Sequence, residues 1–421
     1  MPEPTAATNE VPRLRVSIEE ARELVLATCT VLPAVTLPLS EANGCVLADD
    51  VVAPEDVPPF ANSALDGYAV IAADVTAVPV DLPVVGEIAA GGWSDRVLHP
   101  GQVMRIMTGA PVPAGADAIV MVERTERLDG GSRVRIHESV QAGQAVRASG
   151  DDIRQGTTVF ATGTVVRPAV AGVLASVNAL SVSVVPRVRV AVLSTGDELV
   201  DDGRPLGPGE IRESNKTMLL ALVQEVGAEA VDCGIIRDDE AALEGALREA
   251  AQTCDVIVTS GGVSMGDYDV VKAVLSRIAD MQWMEIAIKP AKPFAFGQLA
   301  TEGRAPVPVF GLPGNPGSAL VSCELLARPA LRQMMGHRER LLRQRVMAVA
   351  DTPLRRNRDG KVHYQRVHGA FAGDGRYHVS ARGPQGSHQL AASAIAPALA
   401  EVPDGDTVEA GGEVAVYLLW S

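Results

Sequence analysis

Three glycine-rich turns carry the residues of this sequence best suited to bind a phosphate. They occupy positions 194–198, 260–267 and 311–318, each directly after an apolar run. Glycine lets a phosphate approach backbone N–H groups closely. If the apolar runs are strands of one open parallel sheet, their carboxyl ends meet at one edge, where such sheets bind ligands. Any single turn could be an ordinary loop, but together they predict a site for a nucleotide-like ligand.

The third turn also contains a helix start. Asn315 followed by Pro316 has the pattern of an N-cap and a first helical residue. This pattern predicts backbone N–H groups that face outwards for an anion, with the hydroxyl of Ser318 as a further donor.

Acidic residues crowd the same predicted edge. They would repel an anion unless a cation lay between them, so the simplest cofactor is Mg²⁺ bridging carboxylates and phosphate oxygens. The alternative is that each acid only stabilises the start of a helix. The residues are Asp197, Glu198, Asp238, Asp239, Asp267 and Asp269.

Two of the five lysines stand together in the segment K-P-A-K-P, as Lys289 and Lys292. The prolines stiffen the backbone and fix where the two ammonium groups project, which suits the binding of phosphate or another oxyanion. A solvated loop is the alternative.

Two further polar stretches, residues 62–69 and 108–117, are interpreted by physical reasoning alone as turns. The sequence contains no P-loop, zinc-protease or nucleophile-elbow motif, so it does not indicate the familiar NTPase, zinc-protease and hydrolase functions.

Composition limits the partners. The 421 residues have a net charge of -15, which disfavours binding to nucleic acid or to an anionic membrane. The first fifteen residues lack the apolar core of a secretory signal, so we expect a cytoplasmic protein. The five cysteines never form a C-x-x-C pair, which favours reduced core residues over disulfides or structural zinc.

The elements that must position these residues fall into four regions. Residues 13–55 begin with a helix capped by Ser17 and Glu20, and residues 56–145 form a mostly β region with a hairpin of strands 118–128 and 133–138. Residues 168–185 predict a buried helix followed by a strand.

Residues 187–336 alternate between strand-like and helix-like runs, which predicts βαβ units and a parallel sheet covered on both faces. After residue 336 short strands separated by glycine turns predict a small antiparallel barrel or sandwich.

Seven motifs in chain order resemble the molybdopterin molybdenumtransferase family, that is MoeA and the E domain of gephyrin-like proteins. They are N-S-A-L-D-G-Y-A, M-T-G-A-P-V-P-A-G-A-D, S-T-G-D-E-L, S-G-G-V-S-M-G-D, K-P-A-K-P-F-A-F-G, G-L-P-G-N-P and Q-G-S-H. The resemblance runs from near residue 13 to the end of the chain.

The resemblance implies an α/β multidomain fold with a three-layer α/β/α molybdopterin-binding domain on a mostly parallel sheet. It places a discontinuous linker domain at 13–55 and 146–186, an inserted β domain at 56–145, the α/β domain at 187–336 and a C-terminal β-barrel at 337–421. It also implies a homodimer whose active site joins the α/β domain of one chain to the β and linker domains of the other.

The implied reaction is the insertion of molybdate into adenylylated molybdopterin, with Mg²⁺-dependent hydrolysis of the pyrophosphate bond and release of AMP. The implied partners include a molybdopterin adenylyltransferase and the molybdoenzymes that receive the product.

By motif position, catalytic roles are implied for a set of polar residues, of which Glu198 and Asp269 would hold the metal. That set is Asp66, Thr108, Asp152, Glu198, Asp238, Asp269, Lys289 and Lys292. The implied substrate-binding set is Thr195, Gly196, Asp197, Ser260, Gly261, Gly262, Ser264, Pro313, Gly314, Asn315, Pro316, Ser318 and Ser387.

Three positions depart from the family pattern. Leu65 stands where methionine is usual, a swap that conserves volume. Gly317 replaces the usual valine or isoleucine, which would loosen the first turn of its helix. Glu285 stands where members often carry lysine, and the reversed charge would weaken the anion site.

Two other functions are compatible with parts of the chain. An adenylyltransferase acting one step earlier has a fold that resembles residues 187–336 alone, and a gephyrin-like protein can act as an anchoring scaffold.

Overall fold

The computed structural model describes residues 14–263 and 269–420 of the chain. The helices are α1 (Ile18–Thr28), α2 (Pro168–Ser176), α3 (Asn215–Val226), α4 (Glu240–Thr253), α5 (Val270–Ile278), α6 (Pro316–Ser322), α7 (Arg328–Met334) and α8 (Leu390–Ala394).

The strands are β1 (Leu14–Val16), β2 (Val35–Pro38), β3 (Val46–Leu47), β4 (Val51–Val52), β5 (Asn62–Ser63), β6 (Gly67–Val70), β7 (Val80–Ile88), β8 (Val103–Ile106), β9 (Ala118–Met121), β10 (Thr125–Leu128), β11 (Arg133–Ile136), β12 (Val146–Arg147), β13 (Thr158–Phe160), β14 (Ser181–Val185), β15 (Arg189–Thr195), β16 (Leu199–Val200), β17 (Ile211–Arg212), β18 (Glu229–Ile236), β19 (Val256–Ser260), β20 (Ala279–Ile286), β21 (Ile288–Lys289), β22 (Pro293–Leu299), β23 (Val307–Leu312), β24 (Arg345–Ala350), β25 (Val362–Phe371), β26 (Tyr377–Ser380), β27 (Ala398–Val402) and β28 (Glu413–Leu418).

Contacts divide the chain into two compact units. One consists of the described residues up to Val35, of Gly44–Ala48 and of those from Val184 onward, and the other of Thr36–Asn43 and Asp49–Ser183. The four predicted domain boundaries stay predictions.

The larger unit contains a seven-stranded sheet in the order β1-β20-β22-β23-β19-β15-β18. Its strands alternate between two cores. Val190 and Val192 of β15 point into the cluster that also contains α1, α3, α6 and α7, whereas Ala191 and Leu193 point into the cluster of α4 and α5. Helices therefore cover both faces, as the predicted three-layer α/β/α arrangement requires.

The sheet is mixed rather than parallel throughout. Four neighbouring strands are parallel to one another, namely β18, β15, β19 and β23. Strand β22 pairs antiparallel with both β20 and β23. Only six residues separate β20 from β22, too few for the crossover that a parallel pair needs. The prediction of a mostly parallel sheet is confirmed, and the antiparallel β22 is the exception within it.

The C-terminal part of the same unit is a closed barrel. Its strands run in the order β25-β26-β24-β28-β27, and the pairing of β25 with β27 closes the ring around a core that includes Val367, Val379 and Val416. Of the two predicted forms, barrel or sandwich, the structure has the barrel. The prediction that it is antiparallel is wrong for one pair, because β24 and β26 are parallel.

The smaller unit contains a six-stranded sheet in the order β10-β11-β7-β8-β6-β9. The predicted hairpin forms between β10 and β11, with Asp129, Gly130 and Gly131 at positive φ. The predicted strand 118–128 is wrong, because a 3₁₀ turn at Val122–Arg124 breaks it and sends β9 and β10 to opposite edges of the sheet.

Helix α1 has the predicted capping box. The Ser17 hydroxyl accepts from the N–H of Glu20 at 3.1 Å, and the Glu20 carboxylate accepts from the N–H of Ser17 at 2.8 Å. Helix α2 corrects another prediction: only Leu174 of its nine residues is fully buried, and residues such as Ala169 and Ala175 are exposed. A run without charged residues does not by itself bury a helix, because apolar side chains also occur at protein surfaces.

All five cysteines are free thiols, and four of them are buried. Among the described residues, no helix combines the length and apolar content that crossing a lipid bilayer requires.

Candidate active site

The three glycine-rich turns lie side by side, because they follow neighbouring parallel strands. Ser194 of β15 is in register with Ser260 of β19, which is in register with Leu312 of β23. The N–H of Gly261 donates to the carbonyl of Leu312 at 3.1 Å and joins the second turn to the third. We call this row of turns, residues 194–198, 260–263 and 311–318, the crest.

Close packing at the crest depends on glycine. Gly261 has φ of 98°, and a Cβ there would lie 3.2 Å from the Thr195 hydroxyl. A Cβ at Gly314 would lie at an ordinary contact distance of 3.7 Å from the Gly261 Cα, so this position shows only how near the two turns lie to each other. These positions bring bare backbone of two turns together at the strand ends. The predicted site residues Ser264 and Asp267 lie outside the described residues.

Asn215, at the start of α3, ties two turns of the crest together and was not predicted as a site residue. Its side-chain amide donates to the Ser260 hydroxyl at 2.8 Å and to the Gly314 carbonyl at 2.7 Å. Its Oδ1 is buried and has no hydrogen-bond partner among the described residues. The sequence marks Asn215 only as a helix start, which is why its bridging role could not be anticipated.

The start of α6 differs from its prediction. Asn315 is the N-cap and Pro316 the first helical residue, as expected. The N–H groups of the first turn are already used: that of Gly317 donates to the Ser387 carbonyl at 2.8 Å, and that of Ser318 to the Asn315 carbonyl at 2.9 Å. The expectation that they face outwards for an anion is therefore wrong, because a loop of the barrel occupies the place.

Two of the predicted carboxylates, those of Asp197 and Glu198, belong to the crest. Asp197 and Glu198 are exposed, and the Glu198 carboxylate folds over Gly196, where any side chain would collide with it. The N–H of Asp238 donates to Asp197 Oδ1 at 3.4 Å, which joins the loop after β18 to the crest.

Asp269 also has a structural role. Its Oδ1 accepts from the N–H groups of Val271 and Lys272 at 3.1 and 3.3 Å, and so caps α5. Asp239 caps α4 in the same way through the N–H of Ala242 at 2.7 Å. The alternative interpretation of these acids as helix-start residues thus holds for both.

The acids suit a magnesium ion only in combination with a ligand. Within 14–263 and 269–420 there is no group of three or more His, Cys, Asp or Glu side chains arranged to hold a metal. Carboxylate oxygens such as those of Glu198 and Asp269 are nevertheless the donors that Mg²⁺ prefers, and Mg²⁺ is usually held by one or two carboxylates plus phosphate oxygens and water. The donor set therefore fits an ion that arrives with a phosphorylated substrate.

Lys292 is paired with the unusual glutamate. Its Nζ lies 3.1 Å from Glu285 Oε2, which also lies 3.4 Å from Arg15 Nε. These three residues line a pocket of about 450 Å³ together with Lys361 and Asp359. Glu285 thus offsets part of the positive charge that the lysine segment brings to the site.

Lys289 lies in β21, in register with His363 of β25. Burial lowers the pKa of the His363 side chain, and the positive charge of Lys289 acts in the same direction. The pairing fixes Lys289 against the wall of the barrel.

The loop that contains Ser387 is held by a buried arginine that sequence reasoning missed. Arg366 is 6% exposed and donates to the carbonyls of Pro384, Gly386 and Gln389 at 3.1, 3.0 and 2.9 Å. Burial lowers the pKa of its guanidinium group. Because these acceptors are uncharged, the positive charge beside Ser387 is not cancelled by them. The strand β25 also contains His363, Gln365 and His368, so no sequence signal singled out Arg366.

Asp66 and Thr108 lie together in the smaller unit. Asp66 Oδ1 accepts from both the N–H and the hydroxyl of Thr108, each at 2.7 Å. These bonds hold the pKa of the Asp66 carboxyl below its usual value, the backbone bond most strongly. Asp152 is exposed in the same unit, and its N–H donates to the Val57 carbonyl at 3.0 Å.

Family models match three parts of the chain. Residues 16–178 match the "MoeA N-terminal region (domain I and II)", residues 191–333 a "Probable molybdopterin binding domain", and residues 348–419 the "MoeA C-terminal region (domain IV)".

Relatives of known name match nearly the whole length. The chain is 41% identical over 416 residues to molybdopterin molybdenumtransferase 2 of Mycobacterium tuberculosis, covering 95% of this chain and 99% of the relative. It is 36% identical to the molybdopterin molybdenumtransferase of Haemophilus influenzae, covering 85% and 86%. The crystal structure of a molybdopterin biosynthesis MoeA protein from Pyrococcus horikoshii is similar with a TM-score of 0.79 at 30% identity, covering 97% of this chain and all of that one.

Proposed function

Because the chain belongs to the MoeA family of molybdopterin molybdenumtransferases, we propose that it inserts molybdate into adenylylated molybdopterin with Mg²⁺-dependent cleavage of the pyrophosphate bond and release of AMP. It is a transferase of molybdenum cofactor biosynthesis. The particular substrate form, the metal and the leaving group are the parts that the proposal adds.

The observation that carries the proposal is the crest. Three turns of small residues converge on one edge of the sheet, and Asn215 clamps the second turn to the third through Ser260 and Gly314. A diphosphate lying across bare backbone, next to carboxylates, is the ligand that such a surface suits best.

Different groups of the site have different roles in the proposed reaction. Bound Mg²⁺, held by Glu198 and Asp269 in our proposal, would offset charge on the pyrophosphate oxygens. Lys289 and Lys292 bind the anionic molybdate or the phosphate that remains on the pterin. The glycine backbone of the crest orients the diphosphate, and orientation is a large part of catalysis of phosphoryl chemistry.

The test is release of AMP by the purified protein given adenylylated molybdopterin, molybdate and Mg²⁺. Glu198→Gln removes one metal-binding charge at an exposed position, so AMP release should fall by about a hundredfold or more while the thermal unfolding temperature stays the same. The matched control is Glu249→Gln on α4, which changes the same charge away from the crest. Unchanged AMP release from Glu198→Gln would contradict the metal assignment.

The same assay separates the earlier adenylyltransferase step. Supplying ATP with unmodified molybdopterin should give no adenylylated product, and product formation there would contradict the proposed step.

We also propose that the working form is a cytoplasmic homodimer in which Asp66 and Thr108 serve the site of the other copy. The support is the apolar helix α2, which has no charged residue and leaves most of its residues exposed in a single chain. Mixing inactive Asp66→Asn with inactive Glu198→Gln should restore part of the activity through mixed dimers. A mixture that stays inactive although it exchanges subunits would contradict a shared site.

A further inference from the structure

Four arginines line one pocket in a protein whose net charge is -15. The pocket has a volume of about 390 Å³ and lies between the end of α7, the segment that follows it and the last strand of the barrel. Its charged lining consists of Arg328, Arg332, Arg340, Arg343 and Glu225. None of these residues belongs to the candidate active site.

The two acidic residues near the pocket, Glu225 and Glu324, form their short ion pairs with Arg343. Arg343 donates to both oxygens of Glu324 at 2.9 and 2.8 Å, and its Nη1 lies 2.8 Å from Glu225 Oε1. Arg328 has only a distant contact with Glu324, at 3.9 Å. Among the described residues, four guanidinium groups therefore face two carboxylates, and the excess is positive.

The side chain of Arg328 gives the strongest indication that the pocket binds an anion. Its side chain is buried, at 9% exposure for the residue, yet its Nε and Nη1 have no hydrogen-bond partner among the described residues. The Nε atom of Arg332 is also buried and has no hydrogen-bond partner among the described residues. Leaving buried donors of a charged group without acceptors is costly, so such groups in native proteins usually meet a partner, water or a ligand.

The electrostatic effects agree with that picture. Burial lowers the pKa of Arg332 to about 10, with Arg328 and Arg343 adding repulsion. Burial likewise lowers the pKa of His337 to about 4, again with help from Arg332 and Arg328. Negative charge in the pocket would raise the pKa values of both groups towards their ordinary values.

We propose that this pocket binds the phosphate group of a small molecule, with Arg328 and Arg332 as its principal donors. The planar fork of arginine matches two phosphate oxygens at once, which an isolated point charge does not. The remaining wall consists of one amide side chain and a larger apolar part, and it leaves room for an organic group on the phosphate. These residues are Gln344, Leu342, Leu418, Leu419 and Trp420. The proposal is independent of the proposed function.

The experiment is isothermal titration calorimetry of the full chain with inorganic phosphate and, separately, with AMP at constant ionic strength. The variant carries Arg328→Gln together with Arg332→Gln, and it should weaken phosphate binding at least tenfold. Arg338→Gln is the matched control, since Arg338 belongs to the same segment but does not line this pocket. A second control, Lys289→Ala with Lys292→Ala, removes the active-site lysines, and it should retain the binding.

The AMP titration distinguishes the source of the phosphate. The loss of binding between the wild type and the double arginine variant isolates the pocket from the active site, which also binds AMP in the proposed reaction. A larger loss for AMP than for inorganic phosphate assigns the pocket to a phosphate ester, whereas an equal or smaller loss assigns it to free phosphate. Binding that is equal in the wild type and the double arginine variant, or absent from the wild type, would overturn the proposal.

A measurement on the unaltered protein covers the case that the variant does not fold. In a proton NMR titration, saturating phosphate should raise the pKa of His337 from about 4 by a measurable amount. A His337 signal that titrates identically with and without phosphate would also overturn the proposal.

Discussion

At the residue scale, Glu285 is paired with one of the two lysines that we propose bind molybdate or phosphate. Its carboxylate lies 3.1 Å from Lys292 Nζ and 3.4 Å from Arg15 Nε, and the three residues line one pocket. Glu285→Gln keeps the shape and removes the negative charge. We expect molybdate to bind about fivefold more tightly to the variant, because a partly exposed ion pair is worth up to about 1 kcal/mol.

The measurement is the dependence of AMP release on molybdate concentration. Glu20→Gln, a carboxylate that lines the same pocket but is bonded to the N–H of Ser17, serves as control and should leave that dependence unchanged. Weaker molybdate binding in Glu285→Gln would show that the glutamate instead positions Lys292 productively.

Gly317 is the second informative residue. A Cβ at this position would lie 2.8 Å from the Ser387 carbonyl oxygen, and the N–H of Gly317 donates to that same oxygen. Gly317→Ala should therefore lower the free energy of unfolding by about 1 to 3 kcal/mol, although alanine is the better helix former. The absence of a side chain does not merely loosen the helix, since it makes room for the barrel loop.

Chemical denaturation measures this change. The control is Gly245→Ala in α4, where a Cβ would have no atom within 4 Å, and where we expect a gain of about 0.5 to 1 kcal/mol. A similar gain in Gly317→Ala would mean that the loop moves aside without cost.

At the element scale, α3 connects the sheet to the crest through Asn215. Asn215→Ala removes two hydrogen bonds, to Ser260 and to Gly314, and should loosen the second and third turns relative to one another. We expect about 1 to 2 kcal/mol less stability and a clear rise in the substrate concentration needed for half-maximal AMP release.

Gln333→Ala separates the two effects. Gln333 donates two comparable bonds of 2.7 Å to the carbonyls of Leu26 and Cys29, which join α7 to α1 instead of joining turns of the crest. Its variant should lose similar stability with unchanged kinetics. Equal kinetic losses in both variants would show that Asn215 acts through general stability alone.

At the scale of the whole molecule, the two units have cores of their own. Ile136 and Val134 belong to an apolar cluster within the smaller unit, whereas Leu193 belongs to a cluster of the larger one. Separate cores make unfolding in more than one step the expected behaviour.

Differential scanning calorimetry should show two transitions. Ile136→Ala and Leu193→Ala each remove a fully buried side chain, with a loss of about 2 to 5 kcal/mol. Each should lower the temperature of one transition, and a different one. One transition that both variants shift equally would show that the units unfold together.

Features that depend on interactions between residues near in the chain, or on the order of motifs, could be predicted from the sequence. The capping box of α1, the positions of β15, β19 and β23, the free cysteines and the family were all predicted correctly. Apolar periodicity and turn chemistry act over a few residues, so a single chain displays them in its own sequence.

Tertiary structure alone decided the features that join residues distant in the chain. Asn215 meets Gly314 across 99 positions, and Gly317 meets a carbonyl 70 positions later. The antiparallel β22 and the arginine pocket likewise depend on which segments pack together. Hydrogen bonds and charges act over a few ångströms in space whatever their separation in sequence, so only the folded chain shows which of them meet.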